Sequence, residues 1–255
     1  MFGIYFYEQL GNSTKNALKI YKDCGFINLG LYWKNNYYES VKLCKLVKNM
    51  GFNIVAIHAP FKNCGSIWQN NFTGFKFYHL MKRYIKLAKK IHIKDIVCHS
   101  NDKIEFSPTK IGLDRYKKLI KLCEKYDINL ALENIRTIDH VDYLLQNIKS
   151  NKLRICLDIG HSNVYVAKPP VLFEKYNSKI STVHISDNDN IKDLHLIPGQ
   201  GKIEWNIIIP KLREIYSGPL MLELDNNKTE KFHYTDLKKY MQDAYISATY
   251  LYSIK

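Results

Sequence analysis

Eight short apolar runs, each followed by a stretch of helical periodicity, constrain the fold of this 255-residue chain more than any other feature. The runs are FGIYFY (2–7), FINLGLYW (26–33), NIVAIHAP (53–60), DIVCHS (95–100), INLALEN (128–134), LRICLDIGH (153–161), ISTVHISD (180–187) and PLMLELD (219–225). Between them apolar residues recur three and four apart, as in YESVKLCKLVKNM and GLDRYKKLIKLCEKY, which gives a helix one buried face. Glycine or asparagine marks helix ends, as in DCGF and NMGF. The runs are nearly continuous rather than alternating, as strands of a parallel sheet are when both faces are covered. Eight strand–helix units in about 250 residues is the count of an α/β chain closed into a single (β/α)8 TIM barrel, here one domain over 1–255. The competing architecture is an open doubly wound sheet. That fold usually opens on a glycine-rich turn, and FYEQLGNST carries no G-x-G-x-x-G.

Composition sets the wider bounds. Hydrophobic residues make up 46% of the chain, enough for a full core. The N-terminus lacks a basic leader and a cleavage site, so it reads as a first strand and not a signal peptide. No apolar run approaches the roughly eighteen residues that span a bilayer, so a soluble, cytoplasmic protein with no membrane partner is expected. Six cysteines lie scattered with no C-x-x-C pair, the pattern of free thiols in a reducing compartment. The net charge of +14 comes almost wholly from lysine spread over helix faces. Such a surface attracts phosphate on a sugar or on DNA and does not choose between them.

The ends of the runs carry the chemistry. In a parallel barrel the C-terminal strand ends form one rim, where active sites gather. The last six runs bring His58, His99, Glu133, Asp158, His184 and Glu223 to that rim, each a ligand type for a divalent metal. His161 follows Asp158 by three residues, and Asp193-x-His195 follows His184. Singly, each has a plainer reading: a hydrogen-bonded histidine, a Glu133–Arg136 ion pair, a polar loop. Their convergence on one rim points to a metal site. Mixed carboxylate and imidazole ligands suit Mn²⁺, Mg²⁺, Co²⁺ or Zn²⁺.

LEN (132–134), CLDIGHSN (156–163), VHISD (183–187), the D-x-H-L-x-P-G-x-G-x-I-x-W run (193–205) and LEL (222–224) resemble the sugar phosphate isomerase/epimerase group of the xylose isomerase-like TIM barrels. The resemblance implies that Glu133, Asp158, His184 and Glu223 bind one divalent cation, with His161 beside it contacting substrate. It further implies that Glu133 and Glu223 act as acid and base through an enediolate. Endonuclease IV belongs to the same superfamily and cuts DNA at abasic sites with three zinc ions. Its ligand set is matched here by His58, His99, Glu133, Asp158, His161, His184, Asp193, His195 and Glu223. The neighbours differ, however. IRTID stands where the nuclease has A-G-Q-G, DIGHSNVYV where it has D-T-C-H and A-G-Y-D, and Leu194 sits where it has arginine in D-R-H. The sugar enzyme is therefore the first reading and the DNA enzyme the alternative. A third is a barrel that binds metal or sugar without turnover, against which the complete carboxylate set speaks.

Weaker candidates complete the list. Trp33, Trp68 and NFTGFKFYHL (71–80) could line a sugar pocket or pack in the core. Arg136 and Lys202 are plausible contacts for a phosphate or hydroxyl. P-G-Q-G (198–201) lacks the G-K-[ST] ending of a phosphate loop and reads as a turn before a helix starting near Trp205. The sugar, its phosphorylation, the metal and the oligomeric state, a homo-oligomer included, are left open.

Overall fold

The apolar runs become eight parallel strands in the computed structural model, which describes residues 1–7, 9–34, 36–101 and 106–254. They are β1 (Phe2–Phe6), β2 (Asn28–Tyr32), β3 (Asn53–His58), β4 (Asp95–His99), β5 (Asn129–Glu133), β6 (Leu153–Asp158), β7 (Ile180–Ile185) and β8 (Leu220–Leu222). Each pairs with its neighbours in chain order, and β8 returns to β1, so the sheet closes into a (β/α)8 barrel. The connections carry α1 (Thr14–Asp23), α2 (Tyr37–Asn49), α3 (Phe72–Lys90), α4 (Lys110–Tyr126), α5 (Asp139–Asn147), the single turn α6 (Ile159–His161), α7 (Pro169–Tyr176) and α8 (Trp205–Ile215), and α9 (Leu237–Ser253) ends the chain. Ser13, Asn36, Asn71 and Thr109 each accept a backbone N–H at the start of a helix, satisfying donors that the first turn leaves open. The aromatic segment 71–80 is thus the cap and first turns of α3, with Phe77 buried and Phe72 and Phe75 exposed.

Period-2 alternation along the strands builds the barrel interior. Val97, Ala131 and Cys156 form a small buried cluster apart from the main core. Two residues beyond each, on the same face, stand His99, Glu133 and Asp158. The ladder brings these levels together, pairing His99 with Glu133 and Asp158 with His184. On β2, Gly30 leaves the room that Tyr5 fills, because a Cβ there would lie 2.6 Å from the Tyr5 ring. Among the described residues no helix is long and apolar enough to cross a membrane. All six cysteines are free, five of them buried.

Candidate active site

Five strands and one strand-following residue bring the predicted rim residues to one floor. Glu133 is fully buried and central. Its Oε2 lies 3.0 Å from His58 Nε2 and 3.1 Å from His99 Nε2. Its Oε1 lies 3.3 Å from both His161 Nδ1 and His184 Nδ1. His184 Nδ1 also faces Glu223 Oε2 at 3.1 Å and Asp158 Oδ2 at 3.7 Å. His161 Nε2 reaches toward Asp193 Oδ2 at 3.7 Å, and Asp193 Oδ1 is 3.0 Å from His195 Nε2. All nine ligand-type residues named from the sequence therefore adjoin one another.

Local structure explains the placement. Asn134 clamps β5 to β6: it donates to the Asp158 carbonyl oxygen and accepts from the Asp158 N–H, each at 2.8 Å. Asp158 Oδ1 accepts the His161 N–H at 2.6 Å, so the single turn α6 starts on its own ligand residue. Asp187, fully buried, accepts N–H bonds from Asn188, Gly199 and Ile203 and from Trp205 Nε1. This carboxylate ties the loop after β7 into a knot. A Cβ on Gly201 would fall 2.3 Å from Asp187 Oδ1, which is why that position is glycine. An antiparallel bridge between Asp187 and Leu196 then holds His195 in left-handed backbone, φ 47°, with its Nδ1 donating to the Glu223 carbonyl oxygen at 3.0 Å. The P-G-Q-G turn is thus a structural device that aims Asp193 and His195.

The electrostatics follow from burial and crowding. Burial alone would raise the Glu133 carboxyl, yet His184, His99 and His161 hold it well below the usual carboxylate range. Glu223 is likewise lowered against its burial, by His184 first. Asp158 goes the other way, raised by burial. Burial works against the His184 imidazolium, but Cys156, Glu223 and Glu133 raise it well above the ordinary histidine value. His195 is pushed up to about 9 despite its burial, chiefly by Asp193. Burial keeps the Tyr5 and Tyr32 phenols protonated, well above their ordinary range.

These residues fit a divalent cation. Four groups of ligand atoms lie within 4.8 Å of one another: His58, His99 and Glu133; Glu133, Asp158, His184 and Glu223; His161, Asp193 and His195; and Glu133, Cys156 and His184. Asp158 Oδ2 is buried with no hydrogen-bond partner among the described residues, an expense that a bound cation would remove. His58 Nδ1 donates to the Ala59 carbonyl oxygen at 2.7 Å, which turns Nε2 onto the Glu133 carboxylate. A nitrogen lone pair facing an anionic oxygen is tolerable only with a positive charge between them. A divalent cation placed between His58 Nε2 and the Glu133 carboxylate would supply that charge.

Above this floor opens a cavity of about 1080 Å³. Tyr7, Tyr32, Phe61, Ile135 and Leu224 line its walls, and Lys15, Lys34, Lys42, Arg136 and Lys228 stand around it. Arg136 is exposed and has no hydrogen-bond or ion-pair partner among the described residues, so the Glu133–Arg136 pair does not form. Lys202 is exposed and is not among the lining residues. The two tryptophans are core residues. Trp33 stacks on Tyr84 with ring centroids 4.4 Å apart, and Trp68 donates from Nε1 to the Ser100 carbonyl oxygen at 2.7 Å. Tyr5, Tyr32, Asn134 and Asp187 were not singled out from the sequence. Asn134 and Asp187 stand inside the LEN and VHISD motifs, and the two tyrosines lie within the first two runs, which bring no ligand.

Comparison with known proteins defines the class. Residues 18–244 match the Xylose isomerase-like TIM barrel family, and the chain belongs to it. Among curated proteins, the uncharacterized protein MJ1311 of Methanocaldococcus jannaschii is 26% identical over 206 residues, covering 74% of this chain and 70% of that one. Among solved structures, a D-tagatose 3-epimerase-like protein superposes with a TM-score of 0.77 at 23% identity, covering 99% of this chain and 96% of that one. An IolI protein with a bound zinc atom gives 0.77 at 17% identity, covering 98% of each chain. At such identities the likeness speaks to the fold.

Proposed function

We propose that the chain is an isomerase or epimerase of a sugar or sugar phosphate, working with a divalent cation held by Glu133, Asp158, His184 and Glu223. The observation that carries this reading is the meeting of two buried glutamates on one histidine nitrogen, at 3.3 and 3.1 Å, beneath an open cavity. They arrive from separate parts of the barrel, Glu133 from β5 and Glu223 from just beyond β8, with β6 and β7 between them. The epimerase-like and zinc-bound neighbours lend support.

A cation at this place would polarise a substrate carbonyl and its neighbouring hydroxyl, making the adjacent C–H more acidic. One glutamate takes that proton from carbon, and the electron pair passes into an enediolate. The other glutamate returns a proton to the opposite face of the same carbon, inverting it. Return to the neighbouring carbon moves the carbonyl instead. Both glutamates are held below the usual carboxylate range, so either can accept the proton. The one that returns a proton must carry one into the step, taken from solvent or kept from the previous turnover. His161, beside them at the cavity wall, orients a substrate hydroxyl.

The test is isotopic. Incubation with a pool of ketoses and ketose phosphates in D₂O should place deuterium next to the carbonyl of at least one of them. The exchange should vanish on chelation and return with Mn²⁺ or Co²⁺. No uptake in any sugar, together with nicking of DNA that contains an abasic site, would overturn the reading.

One observation favours that second activity. Nine residues form the three groups a multi-zinc site needs, with Glu133 shared between two of them, in a chain of net charge +14. The DNA enzyme therefore stands as the alternative.

A further inference from the structure

Strands β3 to β8 lead to the ligand-type residues, whereas β1 and β2 lead to tyrosines. Tyr5 is buried, its hydroxyl 3.0 Å from His184 Nε2. The Tyr32 hydroxyl donates to Glu223 Oε1. The two rings lie 5.1 Å apart, Tyr5 seated in the gap over Gly30 and Tyr32 at the cavity wall. Each hydroxyl engages the atom of its partner that points away from the cluster. His184 turns its other nitrogen, Nδ1, to Glu133 and Asp158, and Glu223 turns its other oxygen, Oε2, to that same Nδ1.

We propose that Tyr5 and Tyr32 are positioning residues that fix His184 and Glu223 in the orientation of metal ligands. The idea rests on the reading of Glu133, Asp158, His184 and Glu223 as a cation site. With the Tyr5 oxygen accepting from Nε2–H, the His184 lone pair is left on Nδ1, the atom that faces the carboxylates. With Oε1 held by Tyr32, Glu223 offers Oε2 alone, as a one-oxygen ligand in a set direction. Partners of this kind set tautomer, ring orientation and ligand basicity, and their loss typically costs about 10- to 100-fold in metal affinity. The plainer view is that both tyrosines only pack. In that case phenylalanine, which keeps the ring and loses the hydroxyl, would serve as well.

The experiment compares Tyr5→Phe, Tyr32→Phe and the parent, each stripped of metal and titrated with Co²⁺. Co²⁺ affinity and the visible absorption of the bound ion are read without any sugar present. Each variant is expected to bind Co²⁺ at least about 10-fold more weakly. The absorption band should change in shape, because it reports ligand geometry that packing alone would not move. The melting temperatures of the metal-free proteins should stay close to the parent's. Should Tyr5→Phe fail to fold, Tyr32→Phe decides by itself, since its ring sits at the cavity wall. Parent-like affinity and spectrum in Tyr32→Phe would overturn the positioning role while the cation site stands. A parent protein that takes up no Co²⁺ would overturn both.

Discussion

Glu133→Gln and Glu223→Gln should each lower turnover of a sugar substrate by at least about 10²-fold, the usual weight of a general acid or base. Each substitution keeps the side-chain shape and removes both a proton acceptor and an anionic ligand. The fold should survive, because the core lies among helices and strand interiors while these residues crown the rim. The two variants should also differ. Glu133 faces His58, His99, His161 and His184, so its neutralisation leaves four imidazoles without their central anion. Glu223 faces His184 and His195 and keeps its Tyr32 bond. Cation affinity should therefore fall further in Glu133→Gln. Activity within about tenfold of the parent in either variant would remove that glutamate from proton transfer.

Asp193→Ala combined with His195→Ala should separate the sugar enzyme from the DNA enzyme. These residues and His161 form a ligand group that shares no member with the four-residue group. In a multi-zinc nuclease their removal takes away one metal, and cleavage at abasic sites should collapse. In a sugar enzyme the cation on Glu133, Asp158, His184 and Glu223 should remain at full occupancy. Metal analysis of the double variant reads the answer directly, and loss of all bound metal would contradict both accounts. Asp187 stays in place in this variant, so the loop keeps its knot and the effect is confined to the two side chains.

Sequence patterning exposed the barrel because each strand is a short apolar run and each run is followed by a helical period. Strand ends were less legible. The run 153–161 continues past β6, which stops at Asp158, and 219–225 overshoots β8, which stops at Leu222. Apolar character outlasts the ladder there because the chain is still buried as it turns over the rim. The ligand-type residues were legible because acids and histidines are conspicuous where strands end. Tyrosines are not. Tyr5 and Tyr32 look like core aromatics until their hydroxyls are placed, and Trp33 and Trp68 pose the same ambiguity with the opposite outcome. The segment 71–80 was hard to place because its aromatic residues hide the helical period, while the Asn71 cap marks where α3 begins.

The floor of the cavity also bears on how long the protein lasts. Glu133, Asp158 and Glu223 are almost wholly withdrawn from water within reach of one another, and only the folded chain brings them together. A cation that binds there and not to the unfolded chain joins metal supply to folding in a single equilibrium. At a free concentration one hundred times its Kd it adds about 2.7 kcal/mol. For a chain of this size that is a rise of roughly 5–10 °C in melting temperature, which a melt with and without Mn²⁺ would register. In a metal-starved cell, more of the protein would be open to proteases at any moment, and its abundance would fall along with its activity.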